Sequence, residues 1–462
     1  MDMNKTSEKM DRRRFLKLAG SAAAATAAVA CTSDPVVKQA VRTQTGDGKM
    51  TYRRNNKGEE VSILGYGCMR WPTMMDENGK EVFDQEAVND MVDYAIEHGV
   101  TYFDTAPVYG RGLSEKVTGI ALSRHPRESY TIATKLSNFK RRPEDEVTFE
   151  GGVQMYHNSM KELGVDYLDY YLLHSIGGGN DPVGDFNLRF IDNGLLDYMV
   201  KEREAGRIRN LGFSFHGSKE AMDYFLSLHD EGKYVWDFVQ IQMNYVDWTH
   251  TEPKAEYLYN ELSRRNIPVV IMEPLLGGQL ASLNDKASSL LRSAAPDKSI
   301  ASWAFRFCGT HPGVMTVLSG MTYMEHVKDN VSSFSPLVPL NEEELAMLEK
   351  VAGVFANFPL VPCTACQYCM PCPYGVDIPG VFRHYNKCVN EGLVSDSESG
   401  TPEYRKARRA FLVSLDRNLE KLRQSNHCIG CKNCVSSCPQ HIRIPAEMRR
   451  IDEYTESLKR NK

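Results

Sequence analysis

The chain has 462 residues, of which 42% are hydrophobic and 25% are charged, and its formal net charge is −5 at pH 7. This balance supports a globular core and argues against a nucleic-acid partner, since such partners select strongly basic surfaces. The length allows about three domains, although a single α/β barrel often uses about 250 residues on its own.

The first 31 residues have the pattern of a twin-arginine (Tat) export signal. An arginine triplet that includes Arg12 and Arg13 precedes a Phe-Leu-Lys sequence, an uncharged alanine-rich stretch and Cys31. The stretch is shorter than the roughly 20 residues that a spanning helix needs, which argues against a protein membrane anchor. A basic, disordered N-terminus is the alternative. The pattern predicts passage through the Tat translocase to the periplasm or another location outside the cytoplasmic membrane. The residues before Cys31 also resemble a lipoprotein cleavage box, which predicts a lipid anchor there.

Residues 32–56 are polar and predict a linker. Between 57 and 335, short β-rich runs alternate with amphipathic stretches of helical period such as 87–97. Eight runs are candidate strands, at 61–68, 101–104, 130–134, 167–173, 208–215, 238–243, 268–272 and 314–318. Eight strand–helix units over this length predict an α/β fold of the (β/α)8 TIM-barrel class, in which chemistry gathers at the carboxyl ends of the strands.

Four polar residues lie at or just beyond the ends of the second, third and fourth predicted strands, namely Asp104, Tyr109, Lys135 and His174. In these residues and their flanking motifs the chain resembles the aldo-keto reductase family, whose catalytic tetrad has the same residue types at the same strand ends. The resemblance covers roughly residues 60–335. It implies a barrel enzyme that acts on a small-molecule carbonyl or alcohol.

The chemistry of carbonyl reduction accounts for the four residue types. A proton has to reach the oxygen as hydride arrives at carbon, and Tyr109, with an ordinary pKa of about 10, is a weak acid at neutral pH. A lysine ammonium at position 135 is expected to lower the tyrosine pKa, and Asp104 is expected to keep Lys135 in place and charged. His174 is expected to orient the carbonyl or to relay a proton. Each residue alone has a structural alternative, but four together predict catalysis.

The resemblance also implies a nicotinamide cofactor, with departures from the family pattern. Seven residues match or stand at the family's cofactor contacts: Ser214, Gln240, Gly277, Gly278, Ser319, Gly320 and Asn330. Gly277 and Gly278, after the seventh predicted strand, are expected to let the backbone approach a pyrophosphate. However, Phe215, Met272 and Thr322 replace an asparagine, a stacking aromatic residue and an arginine that binds the 2′-phosphate. The expectation is therefore that NAD(P)(H) binds without a preference for NADP over NAD.

Residues 336–362 are expected to form a connecting helix, and 363–462 a small, mainly helical domain with two cysteine motifs. The two runs comprise Cys363, Cys366, Cys369, Cys372, Cys428, Cys431, Cys434 and Cys438, and a proline follows each run. This is the ligand spacing of proteins that carry two 4Fe-4S clusters. Disulfides and zinc are the alternatives, but zinc prefers two C-x2-C pairs, and neither alternative accounts for the prolines.

The tail resembles two-cluster ferredoxins, in which the fourth cysteine of each run serves the other cluster. This resemblance implies one cluster on Cys363, Cys366, Cys369 and Cys438, and a second on Cys428, Cys431, Cys434 and Cys372. With the tail included, the whole chain resembles a branch of the aldo-keto reductases that is fused to a 4Fe-4S ferredoxin-like module.

These patterns predict an exported oxidoreductase that reduces a carbonyl, or oxidises an alcohol, and exchanges electrons through two clusters, with a redox partner protein as a further expectation. A cluster passes one electron and a hydride carries two, so a carrier such as flavin or a trapped nicotinamide is expected between them. In the alternative interpretation, the barrel is a catalytically retired scaffold and the protein is an electron-transfer module. The intact tetrad favours the first interpretation, and the altered nicotinamide contacts keep the second open.

Overall fold

The computed structural model describes residues 48–140, 145–249, 255–394 and 400–460. The predicted Tat signal with Arg12 and Arg13, the predicted lipid-anchor position Cys31 and residues 32–47 of the predicted linker lie outside these ranges. Within them, no helix is long and apolar enough to cross a membrane.

Eight parallel strands close into a barrel, and two antiparallel hairpins accompany it. The strands are β1 (Tyr52–Arg54), β2 (Glu60–Ser62), β3 (Leu64–Gly67), β4 (Thr73–Met75), β5 (Glu81–Phe83), β6 (Tyr102–Asp104), β7 (Thr131–Leu136), β8 (Leu168–Ile176), β9 (Ile208–Phe215), β10 (Phe238–Gln242), β11 (Val269–Met272) and β12 (Val314–Ser319). The barrel consists of β3 and β6 to β12 in chain order, and it closes where β12 pairs with β3. Because the sheet is closed, no barrel strand has a free edge.

Helices follow the barrel strands and continue into the tail. They are α1 (Gln85–Glu97), α2 (Ser114–Leu122), α3 (Phe149–Leu163), α4 (Pro182–Phe186), α5 (Leu195–Glu204), α6 (Lys219–Asp230), α7 (Ala255–Ser263), α8 (Asp285–Ala294), α9 (Ile300–Thr310), α10 (Met324–Ser333), α11 (Glu342–Ala356), α12 (Ile378–Asn390), α13 (Pro402–Asn418) and α14 (Ile444–Arg460).

The start of α1 shows why the chain becomes helical there: Asp84 accepts a hydrogen bond from the Ala87 N–H at 3.0 Å. Its buried residues, Val88, Met91, Val92 and Ala95, then recur at helical spacing.

The (β/α)8 prediction is confirmed, with strand ends that differ from the predicted ones by at most three residues. The predicted first strand, 61–68, is divided into β2 and β3. The predicted linker 32–56 does not hold at its end, because Tyr52–Arg54 pairs with β2. The physical reason is long-range: the buried Arg53 guanidinium donates to backbone carbonyl groups of residues 309, 311 and 314, a contact that polar composition does not reveal.

The interior of the barrel is a packed core, formed by Val61, Tyr102, Ala133, Tyr170, Leu172, Phe238, Val270, Met315 and Leu318. A larger core lies between the strands and the helices. It includes Leu348, Val351 and Phe355 of α11, so this helix packs with the barrel.

The tail has a hydrophobic core of its own. Helices α12, α13 and α14 supply Phe382, Phe411 and Met448 to it, all fully buried. One cysteine run precedes α12 and the other precedes α14. The helical packing of the tail therefore fixes the relative positions of two loops that are more than fifty residues apart in the chain.

Candidate active site and cysteine clusters

Asp104 and Lys135 form a buried ion pair at the carboxyl end of the barrel. Lys135 Nζ lies 2.5 Å from Asp104 Oδ1 and 2.7 Å from the Thr105 carbonyl oxygen, and both side chains are almost completely buried. Burial raises the pKa of Asp104, and the attraction of Lys135 opposes that rise. Burial likewise lowers the pKa of Lys135, against the attraction of Asp104. The pair is thus stabilised because either charge, if left alone in a site without water, would carry a large desolvation penalty.

Tyr109 lies beside this pair, in the turn that follows β6. Its ring centroid is 4.8 Å from Lys135 Nζ and 5.8 Å from the His174 ring. Burial raises the pKa of the Tyr109 phenol well above its ordinary value, and the charge of Asp104 adds to the rise. The expectation that Lys135 would lower this pKa is therefore not met, because desolvation outweighs a lysine charge that Asp104 already balances. The phenol keeps its proton and is placed as a donor.

His174, in β8, is held on both ring nitrogens. Ser137 Oγ lies 2.5 Å from Nδ1, and Tyr368 Oη lies 2.9 Å from Nε2. The sequence analysis missed Ser137, although a signal was available. Ser137 stands two positions after Lys135, and alternate residues of a strand point to the same side.

Tyr368 belongs to the tail, between Cys366 and Cys369 of the first cysteine run. Besides its bond to His174, it forms a hydrogen bond with Tyr109 that acts to lower the pKa of that phenol. The cysteine motif assigns no role to Tyr368, which occupies a position between two predicted ligands. No local pattern identifies it, since the contact depends on how the tail docks on the barrel.

The eight tail cysteines line two separate pockets. One pocket contains Cys363, Cys366, Cys369 and Cys438, and the other contains Cys372, Cys428, Cys431 and Cys434. This is the crosswise division that the ferredoxin resemblance implied. The described cysteines are all free thiols, and no three His, Cys, Asp or Glu side chains in the described ranges converge closely enough for a single metal ion.

The chemistry of the first pocket suits a cluster. Ile378, Pro379 and Phe382 complete its wall around the four thiols. Thiolate ligands in an apolar, mostly buried setting are the environment in which proteins hold 4Fe-4S clusters. Cys431 of the second set is exposed, whereas every cysteine of the first set is at least partly buried.

Four of the residues predicted to contact a nicotinamide are engaged in contacts within the barrel. Ser214 Oγ accepts a hydrogen bond from the Ser175 N–H at 2.8 Å, and Asn330 Nδ2 donates to Ser319 Oγ at 2.9 Å. Gln240 is buried near Asp104 and acts to lower the pKa of that carboxyl group.

The predicted pyrophosphate groove, at the ends of β11 and β12, is filled by other parts of this chain. Gly277 has a φ of 66°, and a Cβ atom there would lie 2.4 Å from the Thr364 Cα atom. At Gly320, a Cβ atom would lie 3.0 Å from the Arg70 side chain, whose guanidinium donates to the Thr364 carbonyl oxygen. Only Gly278 faces open space. The residues of this groove therefore do not fit a dinucleotide in the conformation of this structure, and the cofactor contacts stay a prediction.

Comparison with protein families places both parts of the chain. The profile of the Aldo/keto reductase family matches residues 64–352, and that of a 4Fe-4S dicluster domain matches residues 362–444. The chain belongs to the aldo/keto reductase family. It is an oxidoreductase with a (β/α)8 barrel and a C-terminal 4Fe-4S domain.

Individual relatives match the barrel. The chain is 25% identical to L-galactose dehydrogenase of Arabidopsis thaliana over 319 residues, which cover 65% of this chain and 94% of that protein. It is 26% identical to Protein tas of Escherichia coli (strain K12), with 64% of this chain and 95% of that protein covered. A 32% match to Probable aldo-keto reductase 1 of Glycine max covers 33% of this chain and 45% of that protein.

Solved structures agree on the fold. An aldo-keto reductase from Bacillus halodurans, in its holo form, superposes with a TM-score of 0.51 at 25% identity, over 65% of this chain and 96% of that one. An aldo/keto reductase from Klebsiella pneumoniae, in complex with NADP and acetate, gives a TM-score of 0.50 at 23% identity, over 65% and 94% of the two chains.

Proposed function

We propose that this aldo/keto reductase reduces a carbonyl compound, or oxidises the corresponding alcohol, and that electrons enter or leave through two 4Fe-4S clusters in the tail. The observation that carries the proposal is the contact between the two parts. The first cysteine run places Tyr368 2.9 Å from His174, so the cluster loop and the tetrad share one site.

The chain supplies the proton chemistry of the reaction. In the reductive direction, the carbonyl carbon gains a hydride and the oxygen takes the proton of the Tyr109 hydroxyl. His174 Nε2 faces the same space and orients the oxygen, while Ser137 fixes the other ring nitrogen. Lys135 and Asp104 place a fixed charge pair beside the phenol. The exclusion of water strengthens each of these interactions.

The two thiol sets would hold the clusters crosswise. Cys363, Cys366 and Cys369 with Cys438 would hold one, and Cys428, Cys431 and Cys434 with Cys372 the other. Clusters of this type exchange single electrons, and a hydride carrier that takes two, such as flavin or nicotinamide, is the class of group that links them to the barrel. Because the pyrophosphate groove is filled, NADPH is expected to bind weakly and without preference over NADH.

Two further parts of the proposal concern direction and place. A dehydrogenase among the relatives supports the alcohol-oxidising direction as a second possibility. The leader pattern around Arg12 and Arg13 supports export in the folded state, since Tat carries folded proteins and clusters are built in the cytoplasm. Cys31 is the proposed lipid-anchor position, and a redox partner protein outside the cytoplasm is the proposed electron source or sink.

The test begins with anaerobic purification of the full chain, followed by analysis of iron, sulfide and any organic cofactor released on denaturation. The loaded protein is then reduced and offered a panel of aldehydes and ketones, and alcohol products are identified by mass spectrometry. Formation of an alcohol supports the proposal. A protein whose clusters cycle while no carbonyl on the panel is converted would contradict it and support the electron-transfer alternative.

A further inference from the structure

The first cysteine run contacts the barrel as well as lining a thiol pocket. It extends into the opening at the carboxyl end of the barrel strands, which is here called the barrel mouth. Tyr368 Oη bonds to His174 Nε2 at 2.9 Å and also to Tyr109. These two residues are the groups that the proposed reaction assigns to the substrate oxygen. The Tyr368 hydroxyl therefore stands where the oxygen of a carbonyl or alcohol would bind.

A second contact seats the same segment on the opposite side of the mouth. Thr364 is buried, with an exposed fraction of 1%, and its backbone lies directly on Gly277. Arg70 donates to the Thr364 carbonyl oxygen, and Gln279 Nε2 donates to that of Cys363 at 3.3 Å. Residues 363–369 thus cover both the oxygen site and the predicted pyrophosphate turn.

Contacts from the second cysteine loop reinforce this arrangement. The side-chain amides of Gln440 and Gln242 exchange two hydrogen bonds, at 2.8 and 3.1 Å. Gln242 ends β10, so this pair also lies at the carboxyl end of the barrel. The closed arrangement is held at separate points, and displacement of Tyr368 requires the segment to move relative to the barrel.

We propose that residues 363–369 are an autoinhibitory plug, with Tyr368 as a mimic of the substrate oxygen, and that substrate enters only after this segment leaves the barrel mouth. The inference rests on the proposed function, which makes this space the substrate pocket. Three of the seven plug residues are cysteines of the first thiol set, so the plug and that cluster loop are one piece of backbone.

The plug can be tested by the accessibility of His174, without any measurement of turnover. The full chain, purified anaerobically, is treated with diethyl pyrocarbonate, and the modification rate of each histidine is followed by peptide mass spectrometry. His98, which is exposed, reports the reactivity of an open histidine. His384, which is buried in the tail, reports whether the tail remains folded.

Two pairs of variants distinguish loss of the plug from a general destabilisation of the protein. Tyr368→Ala removes the oxygen mimic, and Tyr374→Ala removes a tyrosine that lines the second thiol pocket and is 48% exposed. Gly277→Ala pushes against Thr364 from the barrel side. Gly278→Ala places a Cβ atom at a neighbouring glycine that also has a positive φ, of 94°, but meets no atom within 4 Å.

In the parent, His174 should react far more slowly than His98. Tyr368→Ala and Gly277→Ala should raise its rate by about tenfold, the order expected when two hydrogen bonds or a tight backbone contact are lost. Tyr374→Ala and Gly278→Ala should leave it unchanged, and His384 should stay protected throughout.

Two results would overturn the plug. One is a parent His174 that reacts as fast as His98, and the other is a His174 that stays protected in both Tyr368→Ala and Gly277→Ala. The modification rate of His174 measures the accessibility of the side chain and not catalysis. Either result therefore leaves the proposed reaction to be tested separately by product analysis.

Discussion

Tyr368 Oη lies 2.9 Å from His174 Nε2, although 194 positions of sequence separate the two residues. One residue belongs to the cysteine-rich tail and the other to the fourth strand of the barrel. Their contact joins a predicted cluster loop to a predicted catalytic site, so the two parts of the chain meet at one place.

The first prediction concerns the iron content of the tail. The loaded protein should contain about eight iron and eight sulfide ions per chain, on the stoichiometry of two cubane clusters. Cys366→Ser and Cys438→Ser should each lose about half of the iron and the same electron paramagnetic resonance signal, because both thiols line the first pocket. Cys388→Ser is the matched control, since Cys388 is buried but lies in neither pocket. The crosswise assignment would fail if Cys438→Ser abolished the signal that depends on Cys428.

The second prediction concerns the buried ion pair. Lys135→Met should lower the free energy of unfolding of the barrel by about 3–5 kcal/mol, because it leaves Asp104 charged or forces it to take up a proton in a dry site. Lys219→Met is the control, since the Lys219–Asp223 pair has a similar length of 2.7 Å but lies at the surface, where solvent screening leaves such a pair little net contribution to stability. Urea unfolding of both variants gives the comparison, and equal losses would contradict the assigned role of burial.

The third prediction concerns stability at low pH. Burial lowers the pKa of His311 to about 4, against about 6.5 in an unfolded chain. Between these values the unfolded state binds a proton that the native state does not, so stability is complete above about pH 6.5 and is lost as the pH falls towards 4, by about 3 kcal/mol in total. The ring of Trp248 lies 4.5 Å from His311, so tryptophan fluorescence is a suitable probe. His311→Gln should flatten this pH dependence, and an unchanged slope would show that other groups cause it.

The fourth prediction concerns export. Replacing both Arg12 and Arg13 by lysine should leave the protein folded, cluster-loaded and in the cytoplasm, because the Tat pathway depends on the arginine pair and not on charge alone. Arg14→Lys keeps the pair and should be exported normally. Cell fractionation followed by immunoblotting distinguishes the outcomes. Export of the double variant at the parent level would mean that the leader has another role.

The sequence was sufficient for the barrel and for the position of the tetrad. Each barrel strand is a short run of β-forming residues between helical stretches, and Asp104, Lys135 and His174 stand at visible strand ends. The cysteine spacing likewise indicated the cluster ligands, because a ligand loop is a local pattern, whereas their crosswise division into two sets was implied by the resemblance to two-cluster ferredoxins.

What the sequence did not reveal depends on contacts between distant segments. Tyr368 and Thr364 occupy positions between the cysteines, and the cysteine motif assigns them no role. Their contacts with the barrel arise only when the tail packs against it. Gly277 was predicted to allow the close approach of a pyrophosphate, and in the structure the backbone of Thr364 lies against it instead. The absence of a Cβ atom permits either contact. The raised pKa of Tyr109 also follows from desolvation, which residue types alone do not give.

The central claim is that Tyr109 delivers the proton in a reaction that the clusters supply with electrons. The most direct measurement compares the parent with Tyr109→Phe, each loaded with clusters and with the hydride carrier identified on purification and then reduced, in carbonyl-dependent reoxidation of the clusters followed by their visible absorbance. The account predicts a loss of about 10²–10⁴ in rate, the usual contribution of general acid catalysis, with iron content and chemical reduction unchanged. An equal rate in the two proteins would contradict it.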